Sequence, residues 1–276
     1  MKIHTLIADN WRMDGGVAFG VVPKSIWGRH FEANDNNMVP ITTRCILVEN
    51  NEKKILFDVG FGNKKDEKYY RVRYRDEGVN IISSLAAKGF MPGDITDIVF
   101  THLHDDHVGA ATYIHPDGKT ALTFENATYW VSENQWKWAI NPNKREAGAF
   151  FKENLLPLQE SGKLHLLQEN QQPFDNIKFR FFDGHTRGQI VPFFYMPDGV
   201  YVFVADVIPT AFNMRLPYIP SVDIEPLKTL DEKEAFLEEA FENKYIIIFQ
   251  HDKFNTCCTL AKTEKGIVAD KFFTID

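Results

Sequence analysis

Apolar and polar positions along the chain alternate or cluster in short runs that carry most of the information about its fold. β-rich runs at 16–22, 41–48, 54–59 and 97–102 predict strands. The turn-like cluster Glu49-Asn50-Asn51-Glu52 joins the second and third as a hairpin. A helix-like segment at 80–88 precedes the strand that runs toward His102, and helical patterns follow at 108–113, 132–141 and 145–156. Strands are predicted again at 128–131, 177–182, 191–195 and 200–205. Thr229-Leu230-Asp231-Glu232 opens a helix to about residue 243, with Leu230, Phe236, Leu237, Ala240 and Phe241 at three- and four-residue spacing. Acids in its first turn favour the helix dipole. Segments 245–249, 257–261 and 267–274 close the chain as strands. Because strands and helices interleave in both halves and many strands are apolar throughout, the pattern predicts two sheets with helices outside, an α/β layered sandwich. The Pro-rich stretch 208–226 is a long irregular loop, of the kind that is often functional. No repeat or Gly/Ser linker divides the chain, so residues 1–276 are expected to form a single domain.

Composition narrows the function. With 276 residues, 44% apolar and 25% charged, the chain can bury roughly three quarters of its surface. Twenty-three Phe, 5 Trp and 9 Tyr exclude disorder for most of it. No apolar run approaches the ~18 residues of a membrane span. A net charge of −7 speaks against nucleic acid as partner and suits a small-molecule substrate. The first ten residues are too polar for a secretory signal, so a cytoplasmic location is the default expectation. Cys45 stands alone and Cys257 and Cys258 are adjacent, poor geometry for a mutual bridge, so buried thiols are expected.

The chemistry concentrates in Thr101-His102-Leu103-His104-Asp105-Asp106-His107, which holds three of only nine histidines within six positions. His102 and His104, two apart at a predicted strand end, leave the same face. The chain then turns, and a carboxylate from Asp105 or Asp106 approaches with His107 from a second direction. Imidazoles plus a carboxylate suit zinc. So short a segment needs further ligands, and His185, Asp206 and His251 each follow an apolar strand, where a layered sheet usually places its chemistry. His4, His30, His115 and His165 lack such context.

Thr101–His107, Gly184-His185-Thr186, Asp206 and His251, in that order and together with Leu56-Phe57-Asp58-Val59-Gly60, resemble the metallo-β-lactamase superfamily of hydrolases. The segments 20–27, 206–210 and 223–229 are similar to its branch of methyl parathion hydrolases and quorum-quenching lactonases. The resemblance implies a four-layer αβ/βα metallo-β-lactamase sandwich with a dinuclear site at one edge. It implies that His102, His104 and His185 hold one divalent ion, that Asp106, His107 and His251 hold the other, and that Asp206 bridges both. Asp58 would orient a ligand without touching metal. The two ions would be zinc foremost, with manganese, iron or cobalt accepted. A bridging hydroxide would attack a small ester, lactone or phosphotriester-like substrate, and Asp106 would orient it or return a proton to the leaving group.

Two positions depart from the family text. Thr186-Arg187-Gly188-Gln189 stands where T-P-G-H is usual, and Pro209 stands where many acyl-homoserine lactonases carry Tyr. The alternatives are a thioester hydrolase like glyoxalase II, which would need a basic patch for an anionic thiol carrier, and a di-iron redox module on the same fold. The resemblance also implies that Trp27, Phe61, Phe212 and Met214 form an aromatic and apolar wall of the substrate pocket, and the apolar N-terminal segment, with the pairing of related enzymes, suggests a homodimer.

Overall fold

In the computed structural model, which describes residues 1–275, fourteen strands and eight α-helices are formed. The N-terminal half supplies β1 (Lys2–Asp14), β2 (Met38–Asn50), β3 (Lys53–Phe57), β4 (Asp97–Val99), β5 (Thr112–Ile114), β6 (Thr120–Leu122), β7 (Thr128–Ser132) and β8 (Leu164–Leu167). The C-terminal half supplies β9 (Ile177–Phe182), β10 (Gln189–Met196), β11 (Gly199–Phe203), β12 (Ile246–Ile248), β13 (Cys257–Thr263) and β14 (Gly266–Phe273). One six-stranded sheet runs β1-β2-β3-β4-β7-β8 and the other β14-β13-β12-β11-β10-β9, while β5 and β6 form a small ribbon.

The period-2 alternation of the strands builds the layers. Ile46, Ile55, Phe57 and Val99 of the first sheet meet Phe179, Phe194, Phe203 and Ile248 of the second in one buried cluster between the sheets. Their neighbours turn outward. Leu47, Leu56, Ile98 and Tyr129 pack on helices Ile81–Ala87, Glu133–Ile140 and Lys152–Glu160. Val191, Phe193, Val202 and Ile247 pack on helix Pro226–Glu242. Helix, sheet, sheet, helix is the αβ/βα sandwich that the interleaved pattern predicts.

The differences have local causes. The strand expected at 16–22 is a helix, Gly15–Phe19, because Asp14 Oδ1 accepts from the amides of Gly16 (2.7 Å) and Val17 (3.3 Å) and caps it. β1 escapes the sequence pattern because a register irregularity between Ile7 and Asp9 breaks its alternation. The helix expected at 145–156 begins only at Lys152, since Asn143 Oδ1 draws the amides of Arg145 (2.7 Å) and Glu146 (3.1 Å) into a turn. The helix expected at 108–113 lies earlier, at Asp105–Val108, so Asp106 and His107 stand on the helical turn itself rather than on a loop before it. β4 ends at Val99, leaving His102 and His104 in the connection that follows.

Candidate metal centre

His102, His104, Asp106 and His107 leave the connection after β4; His185 follows β9, Asp206 follows β11 and His251 follows β12. All seven meet at one edge of the sandwich. Ligand-type atoms of His102, His104 and His185 lie within 4.8 Å of one another, as do those of His102, His107 and Asp206, and those of Asp106, His107 and His251. Asp206 spans the groups. Its Oδ2 lies 3.3 Å from His185 Nε2, while its Oδ1 lies 2.9 Å from His251 Nε2 and 3.7 Å from His107 Nε2. Asp106 Oδ2 lies 3.4 Å from His107 Nε2 and 3.7 Å from His251 Nε2. Asp106, and not Asp105, therefore faces the second cluster.

Each imidazole is held from outside by an oxygen, which fixes its tautomer and turns the other nitrogen inward. His185 Nδ1 meets Asp223 Oδ1 (2.8 Å), His104 Nε2 meets Glu146 Oε1 (2.8 Å) and His251 Nδ1 meets the Thr42 carbonyl (2.8 Å). His107 Nδ1 meets Asp58 Oδ2 (3.0 Å) and His102 Nδ1 meets Thr101 Oγ1 (3.0 Å). Asp58 also accepts from the Thr101 amide (2.8 Å), the Thr101 hydroxyl (2.7 Å) and Gln250 Nε2 (2.7 Å). Asp58 holds this position at φ 58°, and Ala205, beside Asp206, sits at φ 45°, two non-glycine residues in the left-handed region at the site.

The inward atoms are the ones left without partners. His102 Nε2, His107 Nε2, His251 Nε2 and Asp206 Oδ1 are buried with no hydrogen bond. His104 Nδ1 and His185 Nε2 face each other at 3.2 Å. Unpaired buried donors and acceptors are costly, and a ring of them converging on one volume is the donor set of a cation. The charges agree. Burial disfavours an imidazolium, yet Asp206 and Asp223 hold His185 up at about 9. Against the same burial, Asp106 and Asp206 hold His107 well above its ordinary value. Burial would raise Asp106, but His107 and His251 bring it down to about 2. His102, buried among the other imidazoles, is pushed well below its ordinary value. The two carboxylates thus favour positive charge on the imidazoles around them, and cations in that place would release those protons.

A cleft of about 630 Å³ opens onto His104, Asp106, His185 and Asp206. Phe61 lines it, as the sequence suggests, but Trp27, Phe212 and Met214 do not. Trp27 is buried under Phe19 in the N-terminal aromatic cluster, and Phe212 and Met214 line a separate outer groove, because the loop around Ala211–Met214 turns its side chains away from the cleft. In their place stand Trp11, Met13, Val72 and Val222, with Arg12, Arg73 and Arg145. Sequence reasoning also leaves out Asp223, Glu146 and Arg44. Arg44 is buried and bonds the Phe249 and Asp252 carbonyls on either side of His251. The segment 223–229 stood out only by family text, and nothing local marked the other two. Pro209, in place of a tyrosine, contributes its carbonyl to the His251 amide (2.9 Å).

The layered αβ/βα sandwich and the His/Asp cluster at its edge define a hydrolase scaffold able to bind metal. The chain belongs to the metallo-beta-lactamase superfamily, which its sequence matches over residues 39–251. It is similar to "a probable metal-dependent hydrolase from Staphylococcus aureus", at 30% identity and TM-score 0.88, covering 98% of this chain and 95% of that one. The fold also resembles that of "AidC, a Dizinc Quorum-Quenching Lactonase", at 22% identity and TM-score 0.81, with 99% and 95% covered. "N-acyl homoserine lactonase AttM" of Agrobacterium fabrum (strain C58) is 30% identical over 86 residues, 31% of this chain, and the match spans only 28% of that relative's length. Among the described residues no helix is long and apolar enough to cross a membrane.

Proposed function

We propose that the chain is a dinuclear metal-dependent hydrolase of a small ester, lactone or phosphotriester-like substrate. The convergence of inward-facing, otherwise unpartnered nitrogens with the two oxygens of Asp206 carries this reading. His102, His104 and His185 would hold one divalent cation and Asp106, His107 and His251 the other, with Asp206 shared. Zinc is favoured by the imidazole-rich set, and manganese, iron and cobalt suit it too. Such cations lower the pKa of a bound water toward neutrality and polarise a substrate oxygen.

The remaining work falls to the chain. Asp106 orients the attacking water and returns its proton to the leaving oxygen. Asp58, Glu146 and Asp223 keep the imidazoles in the tautomers that face inward. Trp11, Phe61 and Val72 offer the body of the substrate an apolar wall. Similarity to the probable metal-dependent hydrolase of Staphylococcus aureus, to the lactonase AidC and to the lactonase AttM supports the same class of activity.

Metal analysis and a panel of lactone, phosphotriester and glutathione thioester substrates, run on one purified sample, test the proposal. Two equivalents of metal per chain and turnover of a lactone or ester are expected. His102→Ala and Asp206→Ala should each lose metal and cut kcat/KM by at least about 10³-fold. Full activity in metal-free protein would overturn the reading. We further propose that the whole chain forms one hydrolase domain and a homodimer working in a reducing compartment, which its three buried free thiols support. A light-scattering mass near 31.8 kDa rather than twice that would remove the dimer.

A further inference from the structure

The geometry points to a carboxylate-binding subsite at Arg73 in the cleft, so that the enzyme acts on esters or lactones whose apolar body carries an anionic carboxylate. This rests on the hydrolase reading above and names its substrate class. A chain with 38 acidic residues and a net charge of −7 offers arginines many carboxylate partners. Outside the cleft, Arg71, Arg75, Arg180 and Arg187 each lie against a carboxylate, those of Glu67, Asp9, Glu239 and Glu225, while Arg44 bonds backbone carbonyls and Arg29 and Arg215 have no carboxylate within 4.0 Å among the described residues. Inside it, none of Arg12, Arg73 and Arg145 has a carboxylate within 4.0 Å among the described residues.

All three donate to backbone carbonyls, and they differ in what else holds the guanidinium. Arg145 Nη2 bonds the Ser221 carbonyl and lies 3.4 Å from that of Asp223, clamping the loop that carries Asp223. Arg12 Nη1 donates to the Met38 carbonyl (3.0 Å). Arg73 is the one built to receive something. Its guanidinium lies on the Tyr69 ring, 3.7 Å from the centroid, and its Nη1 donates to the Tyr69 carbonyl (3.0 Å). Stacking and that bond immobilise the plane and leave Nε and Nη2 without a protein acceptor. The Nε–Nη2 edge of a fixed guanidinium matches the two coplanar oxygens of a carboxylate, and a half-buried guanidinium attracted by Asp106 only from beyond ion-pair distance is costly until a carboxylate binds it directly.

Of the acids that share the cleft, Asp105 keeps a buried, unpartnered Oδ2 and makes no ion pair with Arg73 among the described residues, and the others are already committed. Asp14 caps a helix and accepts from Asn37 Nδ2 (3.0 Å), Glu146 holds His104, and Asp106 and Asp206 face the candidate cations. Trp11, Met13, Phe61 and Val72 supply apolar surface in the same cleft. A substrate that satisfies all of it places its scissile carbonyl at the metal centre, its hydrocarbon on those side chains and its carboxylate on Arg73.

The test compares 4-nitrophenyl butyrate with mono-4-nitrophenyl succinate, equal in chain length and different only in the terminal carboxylate. For the wild-type, metal-loaded chain, kcat/KM should favour the succinate ester by at least tenfold, chiefly through KM, and that preference should fade as salt rises from 0.05 to 0.5 M. Arg73→Met should lower the succinate-to-butyrate ratio about 10- to 100-fold, the range of a charge-assisted hydrogen bond, and Arg73→Lys should recover part of it.

Calorimetry with glutarate gives a reading independent of turnover. The wild-type chain should bind it at least tenfold more tightly than Arg73→Met, any share held by cations being common to both. A ratio near one in the wild type, or an unchanged ratio and unchanged glutarate binding in Arg73→Met, overturns the subsite while leaving hydrolysis intact. If neither ester is turned over by the metal-loaded chain, the hydrolase reading fails instead, and the glutarate difference alone upholds or removes the subsite.

Discussion

At the scale of single residues, the candidate centre is held by oxygens that never face it. Asp223 bonds His185 Nδ1 and also accepts from Thr229 Oγ1 (2.7 Å), so its carboxylate is fixed at both oxygens before it orients the ring. Asp223→Ala should therefore weaken metal binding about 10- to 100-fold, the usual range for such outer partners, which a competitive chelator titration measures. An unchanged affinity would show that ring packing alone sets His185. Asp58→Ala should do more harm. It strands the buried Thr101 amide and takes the carboxylate from the Thr101 hydroxyl, Gln250 Nε2 and His107 Nδ1, and a stranded buried group costs about 1–3 kcal/mol. Denaturant unfolding should show a loss of at least ~3 kcal/mol. Asp58 is legible in the sequence through the family motif Leu56-Phe57-Asp58-Val59-Gly60, whereas Asp223 lies 38 residues from the histidine it serves, and only the folded loop joins them.

At the scale of elements, the ligand-bearing turn depends on a close backbone approach. The turn Asp105–Val108 runs into Gly109, where an added Cβ would lie 2.0 Å from the Phe61 carbonyl oxygen. The same contact aligns the Gly60 carbonyl with the Ala110 amide (2.8 Å) and the Val59 amide with the His107 carbonyl (2.8 Å). Gly109→Ala should push the two segments apart, costing about 1–3 kcal/mol and moving His107 off the site. Gly148→Ala, where a Cβ meets nothing within 4 Å, should change stability by no more than about 0.5 kcal/mol in the same unfolding assay. Equal effects would deny the approach any special role. The helix Pro226–Glu242 and strand β9 follow patterns that a sequence states openly, through three- and four-residue spacing in one and β-rich composition in the other. β5, β6 and β8 do not, being three or four residues long and half-exposed, too short for either period to declare itself.

At the scale of the whole molecule, buried charge ties its parts together and makes them sensitive to conditions. Lys233, on helix Pro226–Glu242, donates to the carbonyls of Asn213 (3.0 Å), Arg215 (3.0 Å) and Tyr218 (3.3 Å), pinning the long loop to the second sheet's helix. Burial pushes its ammonium down to about 8 from an ordinary value near 10.5. The folded state thus sheds a proton that the unfolded state keeps between those values, so this contribution to stability grows as pH rises from 8 to 10.5 and is lost as pH falls through 8, an increment of about 3 kcal/mol. The difference in unfolding free energy between the wild type and Lys233→Met should move by that amount across the window; a flat difference would contradict it.

The candidate metal centre would tie the molecule together on a larger scale. The residues proposed to hold cations come from both halves of the chain, His102 to His107 beside the first sheet and His185, Asp206 and His251 beside the second. Without cations, the buried atoms there would go unpaired, which costs stability at that edge of the inter-sheet contact. A cation that binds the folded chain alone adds about 2.7 kcal/mol at a hundredfold excess over Kd. Chelation should therefore lower the unfolding midpoint and restored zinc or manganese should raise it again. Hydrogen exchange should place the lost protection at 101–108, 183–189, 205–210 and 249–252 and spare β8 and β14, edge strands of the two sheets that supply no residue to the site. A midpoint and exchange pattern indifferent to chelator would mean that packing alone holds the halves together.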